Sequence, residues 1–459
     1  MMSRLVMTSA PTIDHAVVLG GSMTGMLTAA ALARHARRVT VLERDAFPDE
    51  PGHRKGTPQD QQVHVLLDRG RIAVDHLLPG LSDELVEHGS HRIDLGDAMW
   101  WYHYDRWKVR CQTPYQLYMQ SRPFLEHHVR RRARALPNVE LRARTEMDEP
   151  VVEDGRVRAV RVRPRGEASV QILPCELFVD ASGRGSRAPR WLEALGYPTP
   201  REEQTQLGLA YSTCFYRRPS VVPDDWKAMV VYGARPSQLR HGLLFTVEDD
   251  RWVIGLAGYG GDAPPDDPEG FLEFMRSLDR PELYELVSKA EPLAPPRAHK
   301  FPYQRWFHYE ELDRLPAGFA VVGDAMCSFD PVFGQGMSAG AIEAEALERH
   351  LARGQGFDAR AFAKACARIA KNPWALTLSE ALRYPSSEGQ SPPGLPLLHR
   401  FLDRVFACSS TDPVVYRAFL DVMQLHAGPE TLFRPRVLWH LLRATLAPAG
   451  ARAPLSRPG

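Results

Sequence analysis

The sequence predicts a mixed α/β fold: a Rossmann-like domain split along the chain, an inserted, mostly antiparallel β-sheet domain and a C-terminal helical region. Three observations predict this fold. A glycine-rich turn stands between a strand and a helix near the start, at Gly20–Gly25. A second strand-to-helix turn follows the apolar run Gly318–Val322. Between them, Gly208–Tyr259 is rich in Tyr and Trp and lacks the strand–helix alternation of a parallel sheet.

The first turn has the surroundings of a dinucleotide-binding fingerprint. The predicted elements around it are the strand Ala16–Leu19, the helix Met26–Ala36 and the strand Arg38–Leu42. Gly20 permits the tight turn, and Gly25 lets the helix pack closely on the strand. Ser22 replaces the central glycine of the fingerprint but is small enough for a pyrophosphate to approach. Glu43, followed by Arg44, ends the second strand where an acid binds an adenosine ribose.

The second turn offers a carboxylate and free backbone amides. Asp324 follows its strand, and the predicted helix Ala339–Leu351 comes after Pro331 and Gly334–Met337. Asp324 can accept hydrogen bonds from ribose or ribityl hydroxyls. The N–H groups of Gly334–Met337 lie at a helix start, where they favour negative charge. This pattern is typical of a site for a hydroxylated, electron-rich cofactor.

Further elements follow from local signals. Ser121 is the predicted N-cap of a helix that ends near Ala135, with Pro123 in its first turn. Asp154-Gly155 predicts a hairpin turn. Helices are predicted over Phe357–Ala447, interrupted at Pro385–Pro396. The remaining predicted strands are Val139–Ala143, Val157–Arg163, Val170–Val179, Gly208–Tyr216, Ala228–Tyr232, Gly242–Val247 and Trp252–Ala257.

Composition excludes several classes of protein. With 57 basic against 56 acidic residues, the chain has no general attraction to nucleic acid. Its 6 cysteines are scattered without a CxxC pair, which argues against a metal site or a disulfide framework. Met1–Thr12 lacks the apolar core of a signal peptide, and no apolar run approaches the roughly 20 residues of a membrane span. These features predict a cytoplasmic protein without an integral membrane segment.

Four motifs in order carry a family resemblance. They are Gly20–Gly25, Glu43, the turn Asp180–Ser186 and Gly323–Gly336. Together they resemble the FAD-dependent monooxygenases built on the para-hydroxybenzoate hydroxylase fold, over residues 14–350. A fixed order of separate motifs makes this resemblance specific.

Three segments resemble a natural-product subgroup that includes the alkene epoxidases of polyether pathways. They are Arg54–Leu67, Ser121–Glu126 and Gly323–Met337. Asp330 is a departure, since the family has Asn at this position.

The resemblance implies FAD as the cofactor and assigns residues to it. The residues that would bind FAD are Gly20, Ser22, Gly25, Glu43, Arg44, Arg122, Asp324, Gly334, Gly336 and Met337. By this resemblance Arg122 lies near the phosphates, and Asp324 binds the ribityl or pyrophosphate region. No side chain is assigned to catalysis, because the flavin itself drives the chemistry. The candidates beside the flavin are Pro331, Gly334, Gln335 and Gly336.

The motif order also predicts domain boundaries. The FAD-binding domain would comprise 14–95, 119–200 and 309–352; the substrate domain would comprise the strands in 96–118 and the sheet of 201–308; and 353–459 would form the helical region.

The predicted function is a monooxygenase of secondary metabolism, in which a flavin C4a-hydroperoxide epoxidises or hydroxylates an apolar polyketide, isoprenoid or aromatic intermediate. NADPH or NADH would reduce the flavin directly or through a partner flavin reductase, since no second glycine fingerprint is visible. No base stands out among Tyr211, Tyr216, Tyr232, His241 and Tyr259, which favours epoxidation. The alternatives are a reductase of prenyl double bonds and a non-catalytic flavin-binding escort. A halogenase is disfavoured because a Trp-x-Trp-x-Ile-Pro signature is missing.

Three local patterns keep two interpretations each. His64 either lines the flavin site or is a hydrogen-bonded histidine at a helix start. Trp100–Tyr104 either lines the substrate pocket or is an ordinary packed strand. The apolar stripe of the tail either packs against the cofactor domain or docks on a membrane surface. Its residues are Phe433, Val437, Leu438 and Leu441.

Overall fold

A computed structural model describes residues 12–167, 169–222 and 225–446. The segment assessed for a signal peptide therefore lies outside the described residues, except for Thr12, as does the end of the predicted tail from Ala447 onward. The described chain is built on a five-stranded parallel sheet. Its strands, in spatial order, are Phe319–Val321, Leu177–Asp180, Ile13–Leu19, Ala36–Leu42 and Val139–Arg142. Since they come from separate parts of the chain, the prediction of a split Rossmann-like domain is confirmed.

The two glycines of the first turn are required by close backbone approaches. Gly20 has a φ of +107°, and a Cβ there would lie 2.4 Å from the carbonyl oxygen of Ala181. A Cβ at Gly25 would lie 1.8 Å from the carbonyl oxygen of Gly20. The helix Met23–Leu32 therefore packs directly on the strand and on the turn that precedes it.

Three predicted boundaries differ from the structure. The first helix is Met23–Leu32, not Met26–Ala36, because Ser22 already accepts the first helical hydrogen bond and Ala36 enters the next strand. The helix predicted to begin at Ala339 begins at Gly336 and ends at Leu351. The predicted strand Val170–Val179 is two strands, because its halves pair with different sheets.

The first half, Gln171–Pro174, completes a three-stranded antiparallel sheet with the hairpin Thr145–Glu153 and Arg156–Pro164. Asp154 and Gly155 join the hairpin with φ values of 51° and 72°, the left-handed pair that a two-residue turn requires. A small two-stranded sheet pairs His91–Asp94 with Gln116–Met119.

An eight-stranded, mostly antiparallel sheet, called the large sheet below, is the predicted inserted sheet. Met99–His103 runs parallel to its neighbour, and the other pairs are antiparallel. Two long strands differ from the prediction. The strand predicted over Gly208–Tyr216 spans Arg201–Arg217, and Arg297–His308, which was not predicted as a strand, pairs along it. The path of the sheet is Cys327–Ser328, Arg297–His308, Arg201–Arg217, Arg251–Gly258, Arg240–Val247, Ala228–Tyr232 and Met99–His103, with Glu291–Pro292 beside Arg201–Arg217.

The helical C-terminal region is confirmed over its described residues. Ser121 is the N-cap of the helix Arg122–Arg134, accepting a hydrogen bond from the Phe124 N–H at 3.3 Å. The remaining helices are Asp68–Leu77, Leu81–Glu87, Leu95–Ala98, Ala188–Ala194, Pro268–Arg276, Glu282–Val287, Ala359–Ala381, Leu395–Cys408, Pro413–Met423 and Pro435–Leu446.

The apolar stripe of the tail divides into a buried and an exposed half. Val437 and Leu441 pack in the hydrophobic cluster between the large sheet and the C-terminal helices. The helix Pro435–Leu446 contacts the neighbouring helices Leu395–Cys408 and Pro413–Met423, so the buried half of the stripe packs on the C-terminal helices and not, as predicted, on the cofactor domain. Phe433 and Leu438 are 51% and 41% exposed. None of the helices in the described ranges has the length and apolar character needed to cross a bilayer.

We predict that Gly25→Ala destabilises the fold. Alanine favours a helix interior by about 0.5–1 kcal/mol, but the clash with the Gly20 carbonyl involves backbone that cannot move freely, and overpacking costs about 1–3 kcal/mol. The midpoint of thermal unfolding should therefore fall. Gly52→Ala is the matched control, because its Cβ would meet nothing nearer than 3.7 Å. An equal or higher midpoint for Gly25→Ala would show that the helix and the turn are not in this contact.

Candidate functional site

A cavity of about 840 Å³ lies where the carboxyl ends of the parallel strands face the large sheet, and we call it the main cavity. Open α/β sheets bind ligands at this edge, since the turns after neighbouring strands converge there. Gly25 lies outside its wall and supports the turn by packing on Gly20. The predicted site residues that line it are Gly20, Ser22, Glu43, Arg44, Arg122, Asp324, Pro331, Gly334, Gln335, Gly336 and Met337.

The Glu43 carboxylate is fixed by hydrogen bonds from backbone N–H groups, one of them in the glycine-rich turn. Its Oε2 accepts a hydrogen bond from the Gly21 N–H at 2.9 Å, and its Oε1 accepts one from the Asp45 N–H at 3.0 Å. The Arg54 guanidinium lies 3.2 Å from the same carboxylate. Each carboxylate oxygen can accept a further hydrogen bond. Glu43 is thus oriented toward the cavity with acceptor capacity left for a hydroxyl.

A buried ion cluster connects the glycine turn to the helix Arg122–Arg134, and Glu126 is its centre. The Glu126 carboxylate is within hydrogen-bonding distance of Arg54 Nε at 3.1 Å and of Arg122 Nε at 3.2 Å, and it accepts the Ser22 hydroxyl at 3.0 Å. Arg122 Nη2 also donates to Ser22 Oγ at 2.9 Å. Ser22, which replaces the central glycine of the fingerprint, is therefore hydrogen-bonded to both Arg122 and Glu126.

The charges of this cluster set the ionisation of Glu126. Burial by itself would raise the pKa of Glu126, but Arg122 and Arg54 hold it below its usual range. The role of Glu126 was missed from sequence. The available signal was its spacing from Arg122, since residues four apart on a helix are neighbours.

Asp324 presents a carboxylate to the main cavity. In the described parts of the chain it has no hydrogen-bond partner. Burial raises its pKa, while the positive charges of Arg184, Arg122 and Arg305 oppose that rise. Its position is set by Gly323, whose N–H donates to Glu343 at 2.6 Å. Asp324 thus offers a hydrogen-bond acceptor at the wall of the main cavity, and its binding to a ligand hydroxyl stays a prediction.

The loop before the helix Gly336–Leu351 presents backbone amides and one unsatisfied side chain. Gly334 adopts the left-handed region with a φ of 65°, which turns the chain into the helix. Helix starts leave N–H groups without intrahelical partners. The Gln335 side chain is 1% exposed, yet both its Oε1 and its Nε2 lack a hydrogen-bond partner. A buried amide with two unmet groups at a cavity wall indicates a polar ligand there.

Asp330, the second departure from the family pattern, holds this loop. Its Oδ1 accepts from the Val332 N–H at 3.0 Å, and its Oδ2 accepts the Tyr259 hydroxyl at 2.6 Å. Burial raises the pKa of Asp330, and the charge of Arg235 opposes it. Burial and Asp330 keep the pKa of Tyr259 well above its usual range, so Tyr259 is a structural donor and not a base.

His64 is one of the residues for which the sequence left two interpretations open. His64 lines the main cavity, in the extended segment before the helix Asp68–Leu77, with Nδ1 2.9 Å from the Gln62 carbonyl. Burial and Arg122 lower its pKa to about 4, so it is neutral.

Along the strand Met99–His103 the side chains alternate between two environments, and the prediction that this strand lines a substrate pocket stays a prediction. Trp100 and Tyr102 pack in a core cluster, whereas Trp101 and His103 line a second cavity of about 100 Å³.

Among the residues that the structure describes, one cluster of side chains has the spacing of metal ligands. His308, Glu310 and Glu311 bring their ligand atoms within 4.8 Å of one another. The two ring nitrogens of His308 already lie 2.8 Å from Glu310 and 3.1 Å from Glu203. Burial would lower the pKa of His308, but these carboxylates raise it. An ion-pair network therefore accounts for the cluster.

Comparisons with known proteins agree with this architecture. The chain matches no protein-family model. It is 31% identical over 455 residues to Protein Rv3254 of Mycobacterium tuberculosis, covering 94% of this chain and 95% of that protein. It is 25% identical over 353 residues to the 6-hydroxy-3-succinoylpyridine 3-monooxygenase HspB of Pseudomonas putida, covering 72% and 77%.

Two solved structures share the fold. A flavoprotein/dehydrogenase from Cytophaga hutchinsonii superposes with a TM-score of 0.64 at 14% identity, covering 94% of this chain and 98% of that one. The myxobacterial chondrochloren halogenase CndH, an FAD-dependent halogenase, superposes with a TM-score of 0.63 at 19% identity, covering 92% and 98%. The chain therefore has the fold of the flavin-dependent monooxygenases and halogenases, which confirms the predicted fold class.

We predict that Glu126→Gln lowers the free energy of unfolding at neutral pH by about 3 kcal/mol, because it leaves two buried guanidinium groups without their shared carboxylate. The pKa of Glu126 is lower in the folded state than in the unfolded chain, where it is about 4.3. Its contribution is therefore complete above that pH and is lost as the pH falls through the folded-state pKa.

Urea unfolding at several pH values from neutral to acid measures this difference. The gap between wild type and Glu126→Gln should close in acid. Glu149→Gln is the control, since its pair with Arg161 is about half exposed and is worth less than about 1 kcal/mol. A gap that does not change with pH would contradict the assigned charge on Glu126.

Proposed function

The chain belongs to the family of Protein Rv3254 of Mycobacterium tuberculosis, and we propose that it is an FAD-dependent monooxygenase acting on a largely apolar small molecule. One observation carries the proposal. The Asp324 carboxylate and the Gln335 amide, both without partners among the described residues, line one cavity with the glycine turn and a helix start. A dinucleotide with a polar ring system matches all of these groups in a single ligand.

The residues that line the cavity offer partners for each part of FAD. The pyrophosphate would be held by Gly20, Ser22 and the start of the helix Met23–Leu32. Arg122 would lie near its negatively charged phosphates. Glu43 would accept from the adenosine ribose. Asp324 would accept from ribityl hydroxyls, and the amides of Gly334–Met337 would face the electron-rich edge of the ring. When bound, the flavin supplies oxygen activation and transfer.

The chain's own residues orient the substrate and exclude water. The wall beyond the cofactor side is supplied by the large sheet, with Tyr211, Tyr232 and Phe245. Burial raises the pKa of both tyrosines, so neither is an effective base at neutral pH. Transfer of oxygen to an alkene needs no protein base, whereas phenol hydroxylation usually does. This supports epoxidation of a natural-product intermediate, as in the polyether-type enzymes.

NADPH or NADH would reduce the cofactor directly or through a flavin reductase. The described ranges contain one parallel sheet and one glycine fingerprint, so they offer no separate nicotinamide-binding domain. We also propose that the boundaries derived from the sequence, with the cofactor domain divided at 95, 119, 200 and 309, separate cofactor from substrate residues. A prenyl reductase would use the same cofactor site but would consume no O2.

We expect the purified protein to show the visible spectrum of bound FAD, to lose it anaerobically on reduction, and to consume O2 when air is admitted. Bleaching by NADPH would identify a self-contained enzyme, and bleaching by dithionite alone would identify a partner reductase. Flavin absorbance missing even after addition of FAD would overturn the proposal. Reoxidation without substrate-dependent oxygen consumption would favour the reductase or the escort.

A matched pair of variants assigns the cofactor to the main cavity. Asp324→Ala removes a half-buried acceptor and should weaken FAD binding at least tenfold, since hydrogen bonds to charged groups are worth about 1.5–3 kcal/mol. Asp313→Ala removes an exposed carboxylate outside the cavity and should leave FAD affinity unchanged. Equal affinities would place FAD elsewhere.

The exposed half of the apolar stripe supports a second proposal, reversible docking on an anionic membrane surface. Phe433, Leu438, Trp439 and Leu442 are 41–62% exposed. The neighbouring exposed arginines make no ion pair with any described residue; they are Arg434, Arg436 and Arg443. An apolar face with a tryptophan and basic flanks suits an anionic bilayer. Such docking would give access to an apolar substrate.

Sedimentation with vesicles of phosphatidylglycerol and phosphatidylcholine tests this docking. The double variant Trp439→Ser/Leu442→Ser should reduce the bound fraction several-fold, and pure phosphatidylcholine should bind less protein. Ile172→Ser is the control, because Ile172 is 65% exposed in another part of the molecule. Equal binding by both variants, or a dimer that the double variant dissociates, would contradict membrane docking.

A further inference from the structure

The second cavity adjoins the main cavity. The two share the walls formed by Val65, Tyr232, Phe245 and Val332. Most of its remaining wall is apolar or aromatic and comes from the large sheet and the C-terminal helices, including Trp101, Phe406 and Phe419. The second cavity therefore lies directly beside the part of the main cavity next to Val332, and a molecule that occupied both would pass between these shared side chains.

The wall of the second cavity includes the charged side chain of Arg235, in which one N–H-bearing nitrogen has no hydrogen-bond partner. It follows the strand Ala228–Tyr232 and is 9% exposed. Its Nη2 donates to the Tyr259 hydroxyl at 3.1 Å, whereas its Nη1 is buried without a hydrogen-bond partner. Its other close neighbours are aromatic faces, with ring centroids 4.8 Å away for Tyr259 and 5.0 Å for Tyr384.

No carboxylate among the described residues forms an ion pair with Arg235. Asp330 is reached through the Tyr259 hydroxyl that lies between them. Glu380, which also lines the cavity, is already occupied by the Tyr104 hydroxyl at 2.6 Å and by Arg383 at 2.9 Å. A buried guanidinium without a directly bonded counter-ion is costly unless a ligand supplies one.

His103 places a second unmet group in the same wall. Neither ring nitrogen has a hydrogen-bond partner among the described residues, and the ring packs against Trp101 at 5.3 Å and Phe406 at 4.7 Å. Burial and the charges of Lys108 and Arg235 hold its pKa well below the usual range. His103 is therefore neutral and carries one N–H that a ligand oxygen can accept.

We propose that the second cavity binds a carboxylate carried by the apolar or aromatic body of the substrate, with Arg235 as its counter-ion and His103 as a second donor. This inference rests on the proposed function for the reacting end of the substrate, which lies in the main cavity. A neutral carbonyl would satisfy Nη1 but would leave the charge of Arg235 without a direct counter-ion. Comparing the binding of a carboxylic acid with that of the amide of the same ring system therefore distinguishes a carboxylate site from a site for a neutral carbonyl.

Isothermal titration of the wild-type protein with benzoate and with benzamide tests the proposal, with and without added FAD. Charge-assisted hydrogen bonds are about twice as strong as neutral ones. Benzoate should therefore bind at least tenfold more tightly than benzamide. Equal binding of the two probes, or no binding of benzoate, overturns the proposal.

Two variants locate the binding. Arg235→Gln should reduce benzoate affinity at least tenfold, to the level of benzamide, while Arg235→Lys should retain part of the preference for the acid. Arg314→Gln is the control, because Arg314 also lies over an aromatic ring, that of Tyr197, but lines neither cavity. Benzoate binding that Arg235→Gln leaves unchanged overturns the assignment.

Calorimetry without FAD does not depend on the cofactor, so the two proposals fail separately. Bound, reducible flavin with no preference for benzoate would overturn the carboxylate site alone. A benzoate preference lost in Arg235→Gln, in a protein that binds no FAD, would overturn the monooxygenase proposal alone. Circular dichroism of each variant confirms that a lost preference is not a loss of fold.

Discussion

The buried carboxylate of Glu126, shared between Arg54 and Arg122, is the interaction on which the cofactor side of this protein depends. It connects three separate segments: the loop that carries Arg54, the helix that begins at Arg122 and the glycine turn at Ser22. Two cations and two carboxylates, the second being Glu43, balance their charge in a nearly dry environment. Such a cluster is stable only when every member is present, so it holds the turn and the main cavity in one geometry.

The side of the main cavity that the large sheet forms follows a different principle. The large sheet supplies a mostly apolar wall, and the C-terminal helices close the space behind it, so that the polar groups left in the wall are few and specific. Asp330 joins the two sides: its carboxylate holds the loop before the helix Gly336–Leu351 and accepts the Tyr259 hydroxyl, which Arg235 also contacts. Arg235 is therefore linked to Asp330, which positions this loop, through two hydrogen bonds that share the Tyr259 hydroxyl.

Much of the fold could be predicted from sequence because its signals are local. A glycine whose Cβ would overlap a carbonyl oxygen, as at Gly25, leaves a motif that is visible in the chain itself. Boundaries were less predictable where tertiary pairing decides them. The run Val170–Val179 has continuous strand character, yet its halves join different sheets, and no local property of the run contains that choice.

The sequence by itself determined the class of fold, the split of the glycine-rich motifs along the chain and several residues that line the main cavity, because these depend on short motifs with strict backbone requirements. Only the tertiary structure decided which polar groups are left without partners. Gln335 was predicted to lie beside the cofactor and Arg235 carries no signal in the sequence, but for both residues the unmet hydrogen bonds arise from elements distant along the chain that bury them. Burial and partner choice are properties of the packed molecule, so the chemistry that they imply for a ligand becomes visible only in three dimensions.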